Sequence, residues 1–433
     1  MKIFLFECKK MLKKRGNQIA IFLSVLAIAT FYLINHTVAQ NILENRLISL
    51  EYSLTDYPEM IRKLMAELED AKKANNEEKI NNLESDIEFY EYMLKEDQWE
   101  LEQLSANNWG PIAQKQYERL NEMVKVALSG NLVDYYIEDQ TVSIFTLRVS
   151  AEERRLLAEA GIEPFIQRNF YDPFHPTIYD HFTGKALERW EEATERYGNP
   201  GFYFLYQISQ SLVIPFFILI GCLIFANSIS SEATKKNRGF NFYTVLPLKR
   251  QTLFWAKYGS GLFFTILFVL FIMAVPLILS VFTSSSGSLQ FPVLIYDGPA
   301  EQFSGGTQPV LNALRDEFHF ITLGEYFLNL IPLTLVLIVF LYSLFFLLNL
   351  WIKNATINAA LVITTLYLGL AVLPVAPYNP FTYIDMHKII NREFAVTQFN
   401  EAIHSGNGMI VLSVVSLILI GVGYWRFKRY VVD

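Results

Sequence analysis

Six stretches of the chain contain no Asp, Glu, Lys or Arg and are apolar almost throughout: 17–39, 202–228, 258–283, 326–351, 356–376 and 409–425. Crossing roughly 30 Å of hydrocarbon takes about 20 helical residues, and only a helix satisfies its own backbone inside lipid. The last run is the shortest and ends on Tyr424-Trp425, a pair suited to the membrane interface. The pattern therefore predicts an all-α polytopic membrane protein with six transmembrane helices. Composition agrees: 52% of residues are hydrophobic and 18% charged, against about 25% charged in soluble domains. Disorder, collagen and a small disulfide scaffold are excluded.

The position of Lys and Arg sets the orientation. With the N-terminus inside, the cytosolic pieces are 1–16, 229–257, 352–355 and 426–433. They carry 16 Lys/Arg against Glu7, Glu232 and Asp433, a net charge of +13, while the remainder carries −20. Both termini are expected in the cytosol. Thr37-Val38-Ala39 imitates a cleavage site, but the uncharged run before it is longer than a signal peptide's apolar core, so an uncleaved first span is expected.

Residues 40–201, between spans one and two, form the only stretch long enough for a separate extracellular domain. Ile61, Leu64, Met65, Leu68 and Ala71, then Ile80, Leu83, Ile87, Tyr90, Leu94 and Leu101, recur at three- and four-residue steps. They predict a helical hairpin turning at Asn75-Asn76. Ser150-Ala-Glu-Glu153 matches a capping box, with Gly161 closing that helix. The charge run over 67–102 reads as a solvated face, with a surface for a cationic peptide as the alternative. Residues 168–182 are rich in aromatics and read as a loop against the membrane surface. Asp172, His175, Asp180 and His181 lie in that segment, but their spacing matches no metal site type, so no metal is expected. The insert has no cysteine; Cys8 and Cys222 lie elsewhere. A disulfide-free external domain points to a Gram-positive cell membrane.

Certain chemistry is missing. There is no P-loop, no His-Glu-x-x-His and no Gly-x-Ser-x-Gly. The spans hold no ionisable group except His36 at an outer edge, which leaves a proton-coupled carrier little to work with. No catalytic residue, metal or cofactor is expected in this chain. Uphill transport would need a partner that hydrolyses ATP.

The loop after span two carries the most informative residues: Glu232, Gly239, Leu246, Pro247, Arg250 and Lys257, in that order. This set resembles the permease subunits of type-2 ATP-binding-cassette (ABC) transporters, apart from Leu-Pro-Leu-Lys-Arg where a small residue often precedes the proline. The basic start, with Ile3, Leu5, Phe6, Met11 and Leu12 among lysines, is similar to that family's amphipathic elbow helix, and Asn379-Pro380-Phe381 to its last external segment, 377–408. The resemblance covers the spans and their loops, not the insert.

It implies a permease dimer, homomeric or heteromeric, in a bacterial cell membrane, driven by a separate cytosolic ABC ATPase that binds ATP and Mg. The 229–257 loop would couple the two through Glu232, Gly239, Pro247, Arg250 and Lys257. Spans two and five would line the path, with Gln207, Gln210 and Ser211 on one face and Asn358 and Thr365 on another. Helix–helix hydrogen bonding explains the same polar residues equally well. A peptide or other amphipathic molecule is the expected cargo. An ABC-linked mechanical or sensory protein is the alternative; there the external domain transmits or detects a signal.

Overall fold

The computed structural model describes residues 2–130, 136–227, 249–283, 285–298, 310–352 and 354–429. It is mostly helical and divides into two compact units, Asn35–Asn199 and the remainder. A short helix α1 (Lys2–Lys13) precedes α2, which runs unbroken from Arg15 to Lys73. Span one, read as 17–39, and the first arm of the hairpin are thus one helix. Pro58 is accommodated inside it.

Within the Asn35–Asn199 unit, Asn75 takes a left-handed φ of 53°, and Asn76 caps α3 (Glu77–Ser105) by accepting from the Lys79 amide. The predicted hairpin is present, pinned by a bidentate Arg46–Glu100 pair at 2.8 and 2.7 Å and by Tyr57 against Tyr90. Next come α4 (Trp109–Leu128) and a small hairpin of β1 (Tyr136–Ile137) and β2 (Gln140–Thr141). They are followed by α5 (Ile144–Ala160) and α6 (Lys185–Thr194). The cap of α5 lies seven residues before the first residue of the expected capping box. Ser143 is its cap, bonded by the Thr146 amide, and Gly161 closes it with φ 60°. Ser150 is interior and buried; its hydroxyl donates to the Thr146 carbonyl at 2.6 Å.

The aromatic segment is core, not a membrane-facing loop. Phe174 and Phe182 pack on Trp190 with Leu120, Leu147 and Ala151, and Tyr179 stacks on Phe145 at 4.0 Å. Rings of this size bury more apolar area than any other side chains, so a unit poor in aliphatic runs fills its centre with them. The unit closes at its own ends: Asn35 donates to the Gly198 carbonyl at 2.7 Å, and His36 and Gln40 bond Asn199.

In the other unit, the expected second span is two helices, α7 (Gly201–Ser209) and α8 (Val213–Phe225), bent by 81°. Ser209 and Ser211 bond back to the Tyr206 and Ile208 carbonyls at the break. Pro215 falls in the first turn of α8, where its missing N–H costs nothing. Helix α9 (Arg250–Thr283) leads to a hairpin of β3 (Pro292–Gly298) and β4 (Glu317–Thr322), where only a loop was expected. The all-α reading misses this because Val293–Tyr296 and Phe318–Ile321 are short apolar runs between longer ones.

Thr322 and Glu325 form a capping box at the start of α10 (Leu323–Trp351). Helix α11 (Ala355–Ala371) ends before residue 376, because the residue ahead of Pro374 is biased away from helix. After a 3₁₀ turn at Pro380–Ile384 come α12 (Met386–Ile390), α13 (Glu393–Thr397) and α14 (Ser405–Lys428). Among the described residues, α2, α9, α10 and α14 are long and apolar enough to cross a membrane, and the bent α7–α8 pair makes a fifth. Helix α11 is shorter than these, so six long spans, as read from sequence, are not found among the described residues. The long apolar helices are those of a membrane protein.

Candidate functional site

Helix α1 lays an apolar stripe against α9. Met11 is buried, Phe4 meets Phe263 edge-on at 6.3 Å, and Glu7, one turn before Met11, points the same way. Its carboxylate accepts from Lys257 Nζ at 3.1 Å, and neither residue retains any exposed surface. Leu5, Phe6 and Leu12 are more than half exposed, so the buried face of α1 includes an acid, contrary to the simple amphipathic reading. Removing either charge of a buried pair leaves the other desolvated, at about 3–5 kcal/mol. The pair therefore fixes α1 to α9.

One turn before Lys257, Phe254 is fully buried and meets Phe346, Tyr424 and Phe427 at 5.3–5.8 Å, joining α9, α10 and α14. Arg250, at the first position of α9, donates to the Lys428 carbonyl near the end of α14. Lys428 and Arg429 lie over Tyr424 and Trp425 at 4.6 and 4.1 Å. Of the residues expected to couple to an ATPase, Arg250 and Lys257 thus stand on one short stretch that ties three other helices together. Glu232, Gly239, Leu246 and Pro247 lie outside the described residues.

The path residues are placed differently from expectation. Gln207 lies in the last turn of α7, Gln210 caps it, and Ser211 sits in the bend, so the three do not continue along one straight face. Asn358 and Thr365 do share a face of α11. Asn358 has no exposed surface and, among the described residues, no partner for its amide atoms, while Thr365 donates to the Leu361 carbonyl at 2.8 Å. That face packs within the chain's own bundle.

Asn379-Pro380-Phe381 has a local structural role. Asn379 accepts from the Phe381 amide and donates to the Pro374 carbonyl, both at 3.0 Å, capping the 3₁₀ turn. The Phe381 ring covers Gly369 of α11 so closely that a Cβ there would collide, and it meets Phe340 edge-on.

Beside the α7–α8 bend lies a polar chain that sequence reading missed. Asn391 Oδ1 accepts the Glu393 amide, so its Nδ2 faces His387 Nε2 at 3.2 Å, which must accept. The proton is then on Nδ1, 3.1 Å from Tyr326 Oη, which stands 2.8 Å from Ser209 Oγ, itself donating to the Tyr206 carbonyl at 2.6 Å. Each donor has its acceptor, and the segment after α11 is latched to the broken helix. Polar residues spread over three distant stretches of sequence give no local pattern from which to read it.

The four residues weighed as metal ligands are not brought together. Asp172 pairs with Arg119 at 2.8 Å; Asp180 accepts from the Ser143 and Thr177 amides and the Thr146 hydroxyl. His181 is exposed. His175 bonds Glu153 at 3.1 Å, and Glu153 also takes a bidentate Arg196 at 2.9 and 2.6 Å. Burial pushes the Glu153 carboxyl up, but Arg196 and His175 outweigh it and hold it well below the usual range. Burial, with help from Arg196, holds His175 below its ordinary value. These are structural networks. No protein-family model, curated protein or solved structure gives a match to the chain.

Proposed function

We propose that the chain is the permease subunit of an ABC exporter, working as a pair of such chains in a bacterial cell membrane. A separate cytosolic ATPase binds ATP and Mg and drives it. Both termini and the 229–257 loop are cytosolic, the Asn35–Asn199 unit is external, and α11 supplies a short sixth crossing. The observation that carries this reading is the buried Glu7–Lys257 pair. It joins an amphipathic N-terminal helix to the first turns of α9, directly after the loop on which an ATPase would push. Force on that loop would reach α9, and through Glu7 and Phe254 would move α1, α10 and α14 together. The polar latch at the α7–α8 bend gives the far end of the same bundle a contact that can open and close.

A sensory or mechanical ABC-linked role is the second reading. The separate compactness of the Asn35–Asn199 unit favours it. The two are distinguished by flux. Reconstituted with its ATPase, an exporter moves cargo across sealed vesicles, whereas a sensor changes ATP turnover on ligand binding without net transport.

A further inference from the structure

Between α3 and α4 lies a groove of about 750 Å³, lined by aromatic rings and acids. Trp99, Tyr171, Tyr92 and Phe170 supply the rings. Three of the protein's own cations already lie on three of them: Lys115 Nζ 4.5 Å over Trp99, Arg46 and Arg119 at 4.9 and 5.6 Å over Tyr171, and Arg46 also 6.0 Å over Phe170. Such faces attract cations. Arg46 is clamped by Glu100. Lys115 is more exposed: it pairs with Glu96, its side chain is 44% exposed, and desolvation lowers its affinity for the proton against the opposing pull of Glu118.

Acids outnumber cations along the groove: Glu96, Asp97, Glu100, Glu118 and Glu122 line it with Lys115, Arg119 and Lys125, and Arg46 lies near Asp97 and Lys115 near Glu118. Asp97 is 4% exposed and bonds Ser53, and Glu118 accepts from the neutral Gln114. Residues 40–201 as a whole carry a net charge of −15. A long-range field of this sign concentrates cationic ligands and repels anionic ones.

We propose that this groove binds an amphipathic cationic peptide, one of whose lysines or arginines displaces Lys115 from the face of Trp99 while its apolar side chains rest on Tyr92 and Phe170. Glu96 and Glu118, the acids beside Lys115, exchange one cation for another. The proposal names the cargo or ligand class of the site reading above. Binding requires no ATPase, so its failure and the failure of the exporter reading are separate results.

The test uses the full chain in phosphatidylcholine nanodiscs, with empty discs subtracted, and two probes: a short Lys-Leu peptide and its Glu-Leu counterpart. Titration at low salt should show the Lys-Leu peptide binding at least about tenfold more tightly. Trp99→Leu should weaken it about tenfold and Trp99→Phe much less. Lys115→Met should strengthen it, because the competing internal cation is gone. Equal binding of both peptides would make the groove a general apolar site and overturn the proposal. Unchanged or weaker binding by Lys115→Met in a normally folded sample would do the same.

Discussion

Lys257 Nζ lies 3.1 Å from Glu7 Oε1 with both residues wholly buried, although 250 positions separate them in the chain. The pair joins α1 to α9 through charge, and Phe4 against Phe263 adds an apolar contact between the same helices. Glu7→Gln or Lys257→Met alone should destabilise the protein by about 3–5 kcal/mol, and Glu7→Leu with Lys257→Met should recover most of it. Thermal unfolding of the detergent-solubilised protein, followed by size exclusion, measures this. A double variant no more stable than the singles would mean that the ion pair is not the fastening.

The latch at the helix bend gives a second expectation. Tyr326→Phe removes the hydroxyl that joins Ser209 to His387 and takes one hydrogen bond from each, costing about 1–3 kcal/mol. Amide exchange should rise at Ser209–Leu212 and in the His387–Asn391 turn together. Exchange rising in only one of the two would show that the chain of bonds does not act as one.

The Asn35–Asn199 unit has its own pH signature. His175 titrates below its ordinary 6.5 when folded, so between that value and the folded one the unfolded chain binds more protons. Stability is therefore lost as pH falls through this window, at no more than about 1.4 kcal/mol per pH unit. Carboxyls raised by burial, among them Glu163 and Asp172, act in the opposite sense. The His175 contribution is thus the difference between wild type and His175→Gln. The variant should melt with a smaller drop from pH 7 to pH 5.5. An unchanged drop would assign the sensitivity elsewhere.

Much of this architecture is legible in the chain, for reasons that particular residues make clear. Periodic apolar positions from Ile61 to Leu101 and Asn75-Asn76 mark the hairpin, because helix faces and left-handed turns are local demands. Uncharged runs find the long apolar helices. The α7–α8 bend was not legible: Gln207, Gln210 and Ser211 fit an unbroken helix equally well, and the backward bonds of Ser209 and Ser211 are a choice made by context. The β3–β4 hairpin hides because its strands are short and paired across a gap. At the candidate site Lys257 was visible, but its partner was not. A lone Glu in a lysine-rich helix reads as surface until its spacing to Phe4 and Met11 is set beside a buried lysine far along the chain.

Topology has a direct readout. Cysteines at Lys73 and Lys236, the second outside the described residues, should react with an impermeant maleimide from opposite sides of the membrane. Labelling of both from outside would remove the charge-based orientation.

The most direct measurement is ATP turnover by the purified chain, with and without a cytosolic ATPase that co-purifies from the native host. The account predicts no hydrolysis by the chain alone. It predicts turnover in the assembly that falls at least several-fold on Lys257→Met at matched amounts of assembled protein. Hydrolysis by the isolated chain, or assembly turnover indifferent to Lys257→Met, would contradict the claim that this is a permease coupled through the base of α9.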